Sequence, residues 1–196
     1  MFAISKFINI SQNVVCENGK QIFHNQEDTF AAFMKNVYKS LNISYPKFYK
    51  MDDLCKLAFI ASELLLQNET EKDIALLFSN NEASLDTDLK HQQSIQNPED
   101  YYPSPAVFVY TLPNITIGEV SIRHELKSES AFFVAENYQT EYMHKYAEYL
   151  LKTNKAQKVL CGWIHFLNGD YKADFYLVEK MGILEHSKEQ INDITK

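Results

Sequence analysis

Apolar and polar residues alternate along 3–10, AISKFINI, which predicts a first β-strand. Across 30–41 the pattern changes to helical spacing, with Phe33, Met34, Val37 and Leu41 on one face. Tyr45-Pro46 interrupts it, because proline disfavours helix at the residue before it. Asp52 or Asp53 can then cap a stronger helix carrying Leu54, Leu57, Ala58, Ala61, Leu64 and Leu65. The run DIALLFS at 73–79 is short and nearly all apolar, the mark of a strand buried on both faces. A polar helix over 84–96, the loop NPEDYYPSP and a helical segment over 107–123 follow. Residues 131–135 read as a strand, 137–154 as a helix and 158–166 as a strand. Asn168-Gly169-Asp170 suits a tight turn, after which 173–178 should return antiparallel. From Glu185 the pattern fades into a polar stretch expected to fray. No repeat or linker divides the chain, so the expectation is one domain over 1–184 and a tail over 185–196.

Charge narrows the partners. A net charge of −7 argues against nucleic acid or an anionic membrane, since both demand a cationic surface. No apolar run approaches the roughly 18 residues of a membrane span, and the first residues lack a signal-peptide pattern, so the cytoplasm is the expected compartment. The 12 Tyr and 13 Phe beside a single Trp point to a tightly filled core or a large interface.

Candidate chemistry is sparse. Cys16, Cys55 and Cys161 are odd in number and form no CxxC pair, so neither a disulfide framework nor a structural zinc site is indicated. Cys161, on a strand, reads as a small buried hydrophobe. His124 opens SIRHEL, but H-E-x-x-H fails because Ser128 stands four residues on. His91, His144, His165 and His186 show no ligand spacing with each other or with acidic residues, and no metal or cofactor is expected. No nucleophile elbow, dinucleotide fingerprint or P-loop occurs, and Arg123, the sole arginine, would have to carry any bidentate anion site.

One stretch carries a resemblance. Gly118, the apolar strand 131–135, the helix start near Asn137 and the strand ending Leu160-Cys161-Gly162 keep the spacings seen around the nucleophile of β-ketoacyl synthases. The chain therefore resembles the N-terminal half of this thiolase-like family. The wording SLDTD, YPSPAVFVYTLPN and GEVSIRHEL is similar to small ketosynthase-like proteins of aryl polyene and flexirubin-type pigment clusters. Counting forward from Gly118 and back from Gly162 puts the nucleophile position at Asn137 both times. An amide cannot attack a thioester; its local role would be a helix N-cap accepting the N–H of Gln139 or Thr140. Tyr138, Gln139, Thr140 and Glu141 replace the small residues that let an acyl chain pass.

The resemblance implies an α/β fold with a five-stranded mixed sheet, helices on both faces and the last strand antiparallel. It implies no enzyme, because the cysteine and the family's C-terminal half, with its activating histidines, are both missing. The leading expectation is a chain-length-factor-like subunit of a full-length synthase in polyketide or fatty-acid-type biosynthesis, touching acyl carrier protein only indirectly. The alternative is a homodimeric acyl- or small-molecule-binding protein. Either would pair through Ala131, Phe132, Phe133, Val134 and Ala135, with Tyr138, Tyr142 and Met143 lining the same interface.

Overall fold

The computed structural model describes residues 2–26, 29–99 and 101–195. Among them the chain runs β1 (Ala3–Ser11), β2 (Val14–Glu17), β3 (Lys20–His24), α1 (Phe30–Ser40), a 3-10 turn (Pro46–Lys50), α2 (Asp53–Leu66) and β4 (Ile74–Asn80). It continues through α3 (Leu85–Ile95), α4 (Pro105–Val109), α5 (Ile115–His124), β5 (Ser130–Val134), α6 (Thr140–Lys152), β6 (Lys158–Leu167), β7 (Asp170–Glu179), β8 (Leu184–Glu185) and α7 (Lys188–Ile194).

All strands join one mixed sheet of order β3-β2-β1-β7-β6-β4-β5, with β8 pairing the start of β1. β4 runs parallel to both β5 and β6, while β7 is antiparallel to β6 and β1. The α/β class, the mixed sheet and the five expected strands are therefore present. The count of five is corrected to eight, because β2, β3 and β8 were not foreseen. Their signal was available. Asn18-Gly19 joins β2 to β3 with both residues at positive φ, as Asn168-Gly169 joins β6 to β7, the backbone a two-residue hairpin loop requires.

Each face of the sheet carries its own core. Alternation sends Leu76 and Phe78 of β4 to one side and Ala75 and Leu77 to the other, and all seven residues of β4 are buried. On the first face lie α1, α2 and α5, with Phe33, Met34, Leu57, Ile60 and Val120 packed against Ile8, Leu160 and Phe175. The second face is covered by α6 and α7 through Met143, Ala147, Leu150 and Ile191. Gly162 sits where the tilted rings of Phe78 and Phe175 meet, 4.8 Å apart between centroids; a Cβ there would come within 2.7 Å of the Phe175 ring. That position has no room for a side chain.

Three expected elements change. The helix over 107–123 is broken into α4 and α5, because Pro113 lacks an N–H and steers Leu112 away from helix. The helix expected to begin at Asn137 begins at Thr140. The tail from 185 does not fray. β8 pairs with β1, Ser187 caps α7 by accepting the Gln190 N–H, and Ile191 is fully buried. The proposed boundary at 184 is thus inside the fold.

Candidate functional site

The β5–α6 junction is where a ketosynthase-like chain would hold its nucleophile. Asn137 lies there, exposed on the connection. It is not the N-cap: that position belongs to Gln139, which makes no side-chain cap bond, and the Asn137 carbonyl instead accepts from Gln139 Nε2 at 3.0 Å. The reason lies one residue on. The Tyr138 hydroxyl hydrogen-bonds the Tyr176 hydroxyl at 2.8 Å, and its ring packs against the core of the second face. Drawing that ring inward uses up the residues that would otherwise have formed the first helical turn.

Beneath this junction Cys161 is buried, and its thiol is pushed up to about 12 by burial. Burial likewise holds the Tyr138 and Tyr176 phenols well above their ordinary range. All three groups stay protonated at neutral pH, so Cys161 offers no thiolate. Cys55, within α2, is raised by burial in the same way. At the start of α6 the positive end of the helix dipole meets the Glu141 carboxylate, itself lowered by a hydrogen bond from Lys145. An open recess of about 390 Å³ remains, lined by Asn137, Tyr138, Thr140, Trp163, Asn192 and Thr195.

β5 forms one edge of the sheet. Ala135 N–H donates to the Asn80 carbonyl at 2.9 Å, which fixes which way the ladder points. By the two-residue period, Ala131 and Phe133 turn their backbone groups to β4, and Ser130, Phe132 and Val134 turn theirs outward. Among the described residues no backbone group bonds that outer side. Phe132 packs toward the first core and Ala131 and Phe133 toward the second, where Phe133 meets the Tyr142 and Tyr146 rings edge-on at 5.2 and 6.1 Å. Val134 and Tyr142 remain 55% and 52% exposed, and Tyr149 continues the aromatic row along α6. The expected interface list needs one correction and one narrowing. Met143 is fully engaged in this chain's own core, and Tyr138 points its hydroxyl inward.

Arg123 holds no ligand site. Its Nε and Nη2 donate to the two oxygens of Glu63 at 2.8 and 2.6 Å, satisfying a carboxylate that is 1% exposed. His124 lies beside the same carboxylate, and burial lowers it to about 4. His165 contacts Glu82 and Asp170. One reading fails outright: His144 and Glu148 stand one helical turn apart on α6, a ligand spacing the sequence does contain, and the fold brings His186 to them.

No protein-family model and no curated protein matches the chain. Solved structures do. A ketosynthase in complex with its chain length factor from Xenorhabdus doucetiae aligns at TM-score 0.66 and 12% identity, covering 99% of this chain and 90% of the matched one. The ishigamide ketosynthase/chain length factor aligns at TM-score 0.64 and 18% identity over 91% of this chain. A β-ketoacyl synthase from Burkholderia phymatum aligns at 0.62 and 11% over 92%. This chain spans 62% and 59% of the length of those last two chains. The fold is ketosynthase-like, of the kind that ketosynthases and chain length factors share.

Proposed function

We propose that this chain is a non-catalytic, chain-length-factor-like subunit that pairs with a full-length β-ketoacyl-acyl carrier protein synthase in polyketide or fatty-acid-type biosynthesis of the aryl polyene kind. The observation that carries the reading is the open apolar edge of β5, placed directly before the connection on which Asn137 lies exposed. An unpaired apolar edge is an aggregation hazard unless another chain covers it. A partner strand would satisfy the outward groups of Ser130, Phe132 and Val134 and bury Val134, Tyr142 and Tyr149. The likeness to a chain in a complex of a ketosynthase with its chain length factor, of nearly this length, favours the same kind of pairing.

The interior favours a silent role. Tyr138 occupies the space behind the elbow, its hydroxyl tied to Tyr176, and both neighbouring chemistries are closed: an amide at 137 and a protonated thiol at 161. Such a subunit acts by shape, lending its partner one wall of a product tunnel.

Co-expression with full-length β-ketoacyl synthases of aryl polyene type, followed by light scattering and intact-mass measurement, tests the assignment. The expected result is a 1:1 heterocomplex in which only the synthase is acylated by acyl-carrier thioesters. A stable homodimer that ignores every such synthase, or acylation of Cys161, would overturn it.

A further inference from the structure

His144 and Glu148 share one face of α6, and His186, from the turn between β8 and α7, is laid against them. One ligand atom from each of the three lies within 4.8 Å of the others. The rings of His144 and His186 are 4.6 Å apart between centroids. What singles out this group is His186. It is 4% exposed, yet neither Nδ1 nor Nε2 has a hydrogen-bond partner. A buried imidazole that leaves both nitrogens unsatisfied loses the desolvation free energy of each, so such groups call for an explanation. Its main chain is already placed, the N–H donating to the Phe2 carbonyl and its own carbonyl facing His144 Nε2 at 2.9 Å. The ring is therefore held in position with a lone pair still to give.

We infer that His144, Glu148 and His186 form a binding site for a divalent transition-metal ion of the zinc type. Two imidazoles and one carboxylate, with a fourth position open to water, are a donor set that zinc accepts at bond lengths of about 2.0–2.2 Å. Tetrahedral angles at such lengths place ligand atoms ~3.3 Å apart, so with His144 Nε2 and Glu148 Oε1 already 3.9 Å apart, binding would draw the side chains together by at most about 1.5 Å. Glu148 would exchange its surface ion pair with Lys152 for the cation, and Lys152 would return to solvent. The neutral His144 ring would carry its proton on Nδ1 and turn Nε2 from the His186 carbonyl to the metal. The consequence is mechanical: the ion would fasten the 185–187 turn, and with it α7, to the helix behind the β5 edge. This site is independent of the subunit role proposed above.

The test uses the tag-free, chelator-treated chain titrated with Co²⁺ and then Zn²⁺. One equivalent of Co²⁺ should give the visible absorption of low-coordinate cobalt, one equivalent of Zn²⁺ should abolish it, and the thermal midpoint should rise with free Zn²⁺. His144→Ala and Glu148→Gln, both at partly exposed positions, should each lose the cobalt spectrum while keeping the far-ultraviolet circular dichroism of the parent. Should one variant fail to fold, the other decides. Absence of a saturable cobalt spectrum in the parent, or its persistence in a folded variant, overturns the site.

Discussion

Individual residues in this chain are spent mostly on one another. Glu63 is a buried carboxylate in the middle of an apolar helix, and the sole arginine answers it with two parallel hydrogen bonds. Breaking such a pair strands a buried charge, which typically costs about 3–5 kcal/mol. His124 completes the group, with Glu63, Arg123 and Lys72 as the charges acting on it. Burial lowers its folded value to about 4, whereas an unfolded histidine titrates near 6.5. The unfolded state therefore binds more protons between those values. The stabilising share from neutral His124 is complete above pH ~6.5 and is lost as pH falls toward 4. Urea denaturation at pH 6.5 and 5 should show the parent weakening with a slope contribution of up to about 1.4 kcal/mol per pH unit, and His124→Gln should remove that contribution. Parallel pH dependence in both proteins would show that His124 is not the titrating group.

At the scale of elements, periodicity was a good guide wherever one face met one core. α1 and α2 appear where the apolar spacing put them, and Asp52 caps α2 by accepting the Cys55 N–H at 2.9 Å. β4 is buried on both faces, as its unbroken apolar run requires. The guide failed at α7, whose seven residues are polar apart from two isoleucines. Those two, Ile191 and Ile194, are the ones that reach the core beside Met143 and Ala147. Two apolar residues are too few to register as a pattern, yet one of them is fully buried. Ile191→Ala should therefore destabilise the chain by about 2–5 kcal/mol in equilibrium denaturation, the range for large-to-small changes in a core. A loss below half a kilocalorie would mean that α7 is only loosely attached.

The whole molecule has one side unfinished. Among the described residues, five of its eight strands have sheet partners on both sides for at least part of their length, the two-residue β8 pairs only with β1, and β3 and β5 are the outer edges of the sheet order. β3 is blunted by exposed polar Lys20, Gln21 and His24; β5 is apolar and flanked by aromatic rings. The outward direction of the Val134 backbone makes it a clean probe. Proline there removes a donor from the open edge without touching the ladder to β4. Val134→Pro should leave the monomer folded and abolish assembly with the synthase partner, read as a fall in mass by light scattering. Retention of the complex would show that the edge is not the contact.

What the sequence determined by itself was whatever depends on neighbours along the chain: the strands with continuous or alternating apolar residues, the acidic cap of α2 and the Asn168-Gly169 turn. Even there the hairpin at Asn18-Gly19 is harder to read than that at Asn168-Gly169, because β2 and β3 are only four and five residues long. Tertiary structure alone decided the rest. It turned Tyr138 inward to Tyr176, moving the helix start and withdrawing that side chain from the surface, and it buried Met143 in the chain's own core. It also carried His186 to a helix some forty positions away in sequence, beside a His144–Glu148 pair whose spacing means nothing until a third ligand arrives. Contacts between residues far apart in sequence depend on which elements the sheet order makes neighbours, and no local pattern encodes that order.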